Sequence, residues 1–249
     1  MLRLNKALLL IVLAALLSAC ATTAAPPPDQ RDPRDPLEPF NRQVHAFNMS
    51  ADRAVVRPLA RGYQTVTPAP VRTGVRNFFR NLRSPVVILN LLLQGKPGES
   101  LEQFERFFVN SVYGIGGVFD LANRADMPRH EADLGMTLAS WGWEESRFLM
   151  LPFVGPSTLR DGLGFYGDSF FNPIFNAVRN EGSWGVLALD VIQIRANLLP
   201  LDEQLDAAFD DYLFLRDGYL QRRNFIIHGE ETALPDYDAF LDDDWDDWD

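Results

Sequence analysis

The sequence predicts a mainly α fold: a single multi-helix domain carrying one small β-hairpin near residues 140–155. Three observations predict it. Apolar residues recur at helical spacing through most of the chain, proline and glycine punctuate that pattern, and period-2 alternation is scarce. There is no internal repeat.

The chain opens with Arg3 and Lys6, then an apolar run over residues 7–17, too short to span a bilayer at about 20 residues. Leu17-Ser18-Ala19-Cys20 follows, with small residues directly before the only cysteine. This is the pattern of a bacterial lipoprotein signal peptide, cleaved before Cys20, which is then acylated. Several acyl chains at about 0.8 kcal/mol per buried methylene hold a protein on its membrane almost irreversibly. Ala21 stands where an aspartate would retain an enteric lipoprotein at the inner membrane, so sorting to the outer membrane is expected. Residues 1–19 are therefore a signal peptide, and 20–36 an acylated cysteine with a proline-rich linker. In polyproline geometry that linker reaches at most about 50 Å, which keeps the fold close to its membrane.

The folded domain is expected over residues 37–229. Phe40, Val44 and Phe47 fall at helical spacing. Thr67-Pro68-Ala69-Pro70 opens the next helix, whose Val71, Val75, Phe78, Phe79 and Leu82 form one apolar face. Ser84 and Pro85 are placed to cap and start a separate helix closing at Gly95. Its stretch PVVILNLLLQ would be about 15 Å long, half a hydrocarbon core. It suits either a buried helix or one lying in a single leaflet. A helix over residues 97–110 should turn Leu101, Phe104, Phe107 and Phe108 inward. Gly114, Gly116 and Gly117 then break the pattern, as a tight turn or as a hinge. Residues 134–142 predict a short helix and 147–154 an extended segment. Further helices are predicted over 156–175, 183–198 and 210–227. No later run of eighteen apolar residues remains to cross a membrane.

Charge narrows the functions. The net charge is −11, and becomes −13 once residues 1–19, with two bases and no acid, are removed. Residues 233–249 hold eight aspartates and no base, which predicts a disordered acidic tail over 230–249 with Phe240, Trp245 and Trp248 in it. Residues 53–96 reverse the bias, with eight bases and no carboxylate. Such a balance excludes general nucleic-acid binding and points to phosphates of another kind or an acidic partner. Arg72, Arg76, Arg80 and Arg83 make a row about 100° from the apolar face of their helix, and Arg53, Arg57 and Arg61 a shorter one. Arginines beside apolar stripes suit the boundary of acyl tails and headgroups, or a plain solvated face.

Catalytic signals are weak. The three histidines, His45, His130 and His228, have no ligand spacing, so no metal site and no cofactor is expected. Gly155-Pro156-Ser157-Thr158-Leu159 lacks the second glycine of a nucleophile elbow, and Ser157 reads as a helix cap.

Asp35-Pro36-Leu37-Glu38-Pro39-Phe40-Asn41-Arg42 resembles the opening motif of the VacJ/MlaA family of outer-membrane lipoproteins. The resemblance continues in order through Arg57-Pro58, Val71-Arg72 to Asn77-Phe78, Leu92-Leu93-Gln94-Gly95 and Arg106-Phe107-Phe108-Val109-Asn110-Ser111. It includes Gly114-Ile115-Gly116-Gly117 with Asp120, Leu151-Pro152-Phe153, Gly155 to Asp161, Arg195-Ala196-Asn197-Leu198-Leu199 and Tyr219-Leu220-Gln221-Arg222. Residues 130–145 and the acidic tail depart from it. The resemblance implies a ring-like helical domain in the periplasmic leaflet of the outer membrane. It implies removal of phospholipids mislocalised to the outer leaflet, delivery to a soluble periplasmic lipid carrier, and association with a trimeric porin. Under it, Arg72, Arg76, Phe79, Arg80 and Arg83 become candidates for the lipid path or headgroup contact, and Gly114, Gly116 and Gly117 candidate hinges. Competing readings are a periplasmic lipid hydrolase using Ser157 with His130 or His228, and a purely structural lipoprotein.

Overall fold

The computed structural model describes residues 32–229. The signal peptide, Cys20, most of the linker and the acidic tail lie outside the described residues. Helix α1 (Glu38–Ala51) starts with a proline in its first turn and runs into a single π turn, Asp52–Val56, then into α2 (Arg57–Val66). The π turn lets Pro58, which has no N–H, enter the rod: the Arg57 N–H donates five residues back, to Asp52 O. Thr67 is extended, and α3 (Ala69–Leu93) follows.

Helix α3 corrects the expected break at Ser84-Pro85: its 25 residues run straight through Pro85. A proline inside a helix forfeits one bond to the carbonyl four residues back. Cross-links from α4 (Pro97–Val112) flank the gap. Gln103 Nε2 donates to Ser84 Oγ at 3.2 Å, and Ser100 Oγ to Ile88 O at 3.0 Å. The half-membrane-length segment is thus the second half of a longer helix. One-turn α5 (Leu121–Arg124) and α6 (Leu134–Ser140) start at Asp120 and Asp133, whose carboxylates accept from the Asn123 and Met136 N–H groups.

Strands β1 (Phe148–Leu151) and β2 (Gly155–Thr158) form an antiparallel hairpin, Phe148 facing Thr158 and Leu151 facing Gly155. The helix expected over 156–175 therefore begins later and is divided. Thr158, not Ser157, caps α7 (Leu159–Asp168), and Asn172 caps α8 (Pro173–Glu181). Helix α9 (Trp184–Leu198), a 3-10 turn (Leu199–Leu201), α10 (Asp202–Ala207) and α11 (Asp211–His228) complete the chain. The stretch Trp184–Ala207 is, among the described residues, long and apolar enough to cross a membrane by length and composition. The 3-10 turn interrupts it, and Asp52 and Asp202 both accept from Arg195 inside it.

The fold also begins before Leu37. Asp35, assigned by composition to the linker, is fully buried. It accepts from Asn41 Nδ2 at 2.8 Å and from the Tyr212 hydroxyl at 2.5 Å, and pairs with Arg216. Tyr212 joins Val44, Phe148 and Met150 in a small apolar core.

Polarity is inverted over most of the molecule. Among the described residues twenty-one polar or charged side chains are buried against thirteen apolar ones, while thirty-six large apolar side chains are exposed. Helix α4 corrects the expected orientation outright. Leu101 (58%), Phe104 and Phe108 (each 49%) are exposed, and Ser100, Gln103, Arg106 and Asn110 are buried. On α3 only Phe79 of the expected apolar face is buried, and Val71 is exposed. Water drives apolar groups inward, whereas hydrocarbon forces polar groups to satisfy one another inside.

Candidate functional site

The antiparallel pair α3–α4 turns polar faces toward each other. Asn81 and Ser84 of α3 meet Gln103 and Asn110 of α4. Between them and residues 120–131 lies a cleft of about 170 Å³. It is smaller than an ordinary ligand pocket of about 300 Å³ or more, too small to enclose a long-chain ligand. Its walls carry four guanidinium groups, Arg80, Arg83, Arg106 and Arg129, against the carboxylates of Asp120 and Glu131.

Most of these cations are committed. Arg83 pairs with the buried Asp190 of α9 at 2.5 Å. Arg106, itself buried, places Nη2 at 2.7 and 2.9 Å from the Asp120 oxygens and donates to Met127 O. Arg129 shares Asp120 at 2.7 Å. Burial alone would raise the Asp120 carboxyl, but donation from Asn110 and the Asn123 N–H, with Arg106 and Arg129, holds it below the usual carboxylate range. Arg80 has no carboxylate within 4.0 Å among the described residues. Partial desolvation, then repulsion by Arg129 and Arg76, lowers its pKa.

The arginine row predicted from sequence divides accordingly. Arg80 and Arg83 line the cleft. Arg76 adjoins Arg80 on α3, and its buried Nε has no hydrogen-bond partner. Arg72 is elsewhere employed: its Nη1 donates to Gln64 O at 2.8 Å and Thr67 O at 2.6 Å, fastening the corner between α2 and α3. Phe79, 1% exposed, belongs to the packing. Arg57 and Arg61 face Asp202, away from the cleft. Sequence reasoning missed Gln103, Arg106, Asn110, Asp120 and Arg129. The first three sit at i, i+3 and i+7 on α4, a polar stripe that reads as the outer face if water is assumed outside.

The glycine segment is joined to the cleft through Asn81. Gly116 and Gly117 have φ of 68° and 94°. A Cβ on Gly117 would overlap the Asn81 side chain, and one on Gly114 the carbonyls of Asn110 and Phe119. Asn81 Nδ2 donates to Gly116 O at 3.3 Å and Ser111 Oγ at 2.9 Å, tying the turn to α3. Ser157 lies inside β2 and its hydroxyl donates to Thr158 O at 3.2 Å. His130 is held by Glu102 at 2.7 Å. No hydrogen bond joins Ser157 to a histidine among the described residues, and they contain no metal-binding cluster.

A second hollow of about 280 Å³, beside Phe209, is walled by Asp206, Asp210 and Asp211 with one cation, Arg53. Its charge disfavours phosphate.

A family model described as MlaA lipoprotein matches residues 33–226. The chain is 37% identical over 222 residues to the intermembrane phospholipid transport system lipoprotein MlaA of Escherichia coli K12, covering 86% of this chain and 88% of that protein. The Haemophilus influenzae protein of the same name is 32% identical, covering 81% and 84%. A solved chain, from work on the structural basis for maintenance of bacterial outer membrane lipid asymmetry, superposes with a TM-score of 0.68 at 35% identity. It covers 79% of this chain and 100% of that one. Sequence motifs, helical architecture and coverage agree, and the chain belongs to the MlaA lipoprotein family.

Proposed function

We propose that this protein works in intermembrane phospholipid transport, removing phospholipids mislocalised to the outer leaflet of the outer membrane and so maintaining its lipid asymmetry. Acylated at Cys20 and leashed by the linker, it rests on the periplasmic side of that membrane. It delivers lipid to a soluble periplasmic carrier beside a trimeric porin. The observation that carries the reading is the inverted polarity. Exposed aromatic and aliphatic faces of α3, α4, α7 and α9 suit acyl chains, and the buried ion pairs and the α3–α4 cleft offer headgroups a polar route. Arg76, Arg80 and Arg83 are the arginines assigned to that route. The geometry favours a fixed turn over a hinge at Gly114, Gly116 and Gly117. The internal hydrogen bond of Ser157 supports transport without hydrolysis.

The test is a deletion strain complemented with wild type or Cys20→Ala. Outer-leaflet phospholipid should rise on deletion, return to normal with wild type and stay high with Cys20→Ala. Purified wild type should carry phospholipid detectable by mass spectrometry and leave it unhydrolysed. An unchanged outer leaflet on deletion refutes the transport role, and lipid hydrolysis lost in Ser157→Ala refutes the non-enzymatic one.

A further inference from the structure

We infer that the cleft between α3 and α4 seats one phosphate group, the phosphodiester of a glycerophospholipid, on the Arg80 guanidinium, with Arg129 as second donor. This deepens the transport reading and rests on it.

Three observations converge. Four guanidinium groups line one cleft, and its two carboxylates leave positive charge in excess. Arg83 Nη2 is taken by Asp190 and Arg106 by Asp120, while Arg129 has only the carboxylate it shares with Arg106. Arg80 has no such partner within 4.0 Å and is flanked by Arg76 and Arg129, whose repulsion is only partly offset by Glu131 and Asp120. Crowded cations whose repulsion is only partly offset cost energy that an entering anion recovers. A guanidinium offers planar paired donors that match phosphate oxygens, giving short charge-assisted bonds.

The framework is also rigid. Asp120 starts α5, binds Asn110 Nδ2 at 3.0 Å and clamps Arg106, so the shared carboxylate stays in place when Arg129 turns toward a phosphate. A phospholipid is favoured over free phosphate by what surrounds the cleft. Val87 lines it, and Val118 and Phe119 lie exposed beside Asn77, whose Nδ2 donates to Val118 O at 3.4 Å. A headgroup on Arg80 thus has apolar surface next to it for its acyl chains.

The test uses the full chain purified in an uncharged detergent and titrated calorimetrically with three probes: dihexanoyl phosphatidylglycerol, dihexanoylglycerol and inorganic phosphate. Wild type should bind the phospholipid more tightly than the diacylglycerol. Arg80→Gln should weaken phospholipid binding about tenfold or more and leave diacylglycerol binding unchanged, with Arg80→Lys intermediate. Arg53→Gln, which removes the same charge beside Phe209, should have no effect. Unchanged phospholipid binding in Arg80→Gln overturns the seat. Inorganic phosphate binding as tightly as the phospholipid overturns the lipid source. If neither lipid binds while phosphate still depends on Arg80, the transport reading fails instead. Circular dichroism checks the fold, and Arg129→Gln carries the same comparison if Arg80→Gln does not fold.

Discussion

Replacing Phe104 and Phe108 by glutamine tests the inverted polarity of α4 directly. Each ring is 49% exposed. A phenylalanine covers roughly 200 Å², so about 100 Å² of each is available to a lipid phase. At about 25 cal/mol per Å² that is about 2.5 kcal/mol per ring, or about 5 kcal/mol for both. The two lie at i and i+4 and couple, so the loss in membrane partition should fall between about a hundredfold and a few thousandfold. The assay is vesicle co-sedimentation of a chain also carrying Cys20→Ser, so that acylation does not mask the difference. Unfolding by urea in uncharged detergent should barely change, since exposed substitutions cost within about 0.5 kcal/mol. Gln103→Leu should do the reverse. It removes the acceptor of the His130 N–H at 3.2 Å and the donor to Ser84, costing about 1–3 kcal/mol of stability with partition unaltered. An F104Q/F108Q protein that partitions like wild type but unfolds at lower urea would refute the inversion.

Gly117→Ala should destabilise by more than about 1 kcal/mol, because φ is 94° and the new Cβ overlaps Asn81. Gly116→Ala, with no close neighbour, should cost less, and a thermal melt orders the two. A folded, anchored Gly116→Ala that still leaks phospholipid would revive the hinge. Arg83→Ala strands Asp190 in the interior and should cost about 3–5 kcal/mol, read as a fall in the urea midpoint that Asp190→Asn partly restores. The Asp32 carboxyl, bonded to Arg34 and attracted by Arg216, is lowered to about 2. Its folded pKa lies below the unfolded one, so its contribution is complete above about pH 4 and is lost as pH falls through about 2. The stability difference between wild type and Asp32→Asn should be constant from pH 7 to 5, shrink steadily below about pH 4 and level off below about pH 2.

Helix positions were legible because periodicity survives inversion: a stripe reads the same whether it faces in or out. Which side faces out was not legible, and α4 shows the cost, with Phe104 and Phe108 assigned inward and Gln103 and Arg106 overlooked. Pro85 misled because its flanking Ser84 is a good cap; the cross-links from Gln103 and Ser100 that carry α3 through it come from another helix. The hairpin displaced the expected cap by one residue, from Ser157 to Thr158. Arg80 and Arg83 were legible as cations on one face. Their different fates were not, because Asp190 lies 107 residues from Arg83 in sequence. Asp35 looked like linker because aspartate before proline is common in loops, yet its partner Tyr212 is 177 residues away.

The π turn at Asp52–Val56 sets where the rod tolerates a change of length. In an α-helix each residue advances the phase by about 100°. Deleting one from α1 or α2 would therefore swing Arg57 away from Asp202 and Asp206, and Gln64 Nε2 from Ala196 O, which it reaches at 2.7 Å. The π turn already holds one residue more than an α turn needs. Removing exposed Ala54 keeps the flanking segments in phase and leaves Pro58 inside an ordinary helix, as α3 already holds Pro85. A single-residue deletion scan from 45 to 64 should thus find one permissive window, centred on this turn, between two intolerant arms.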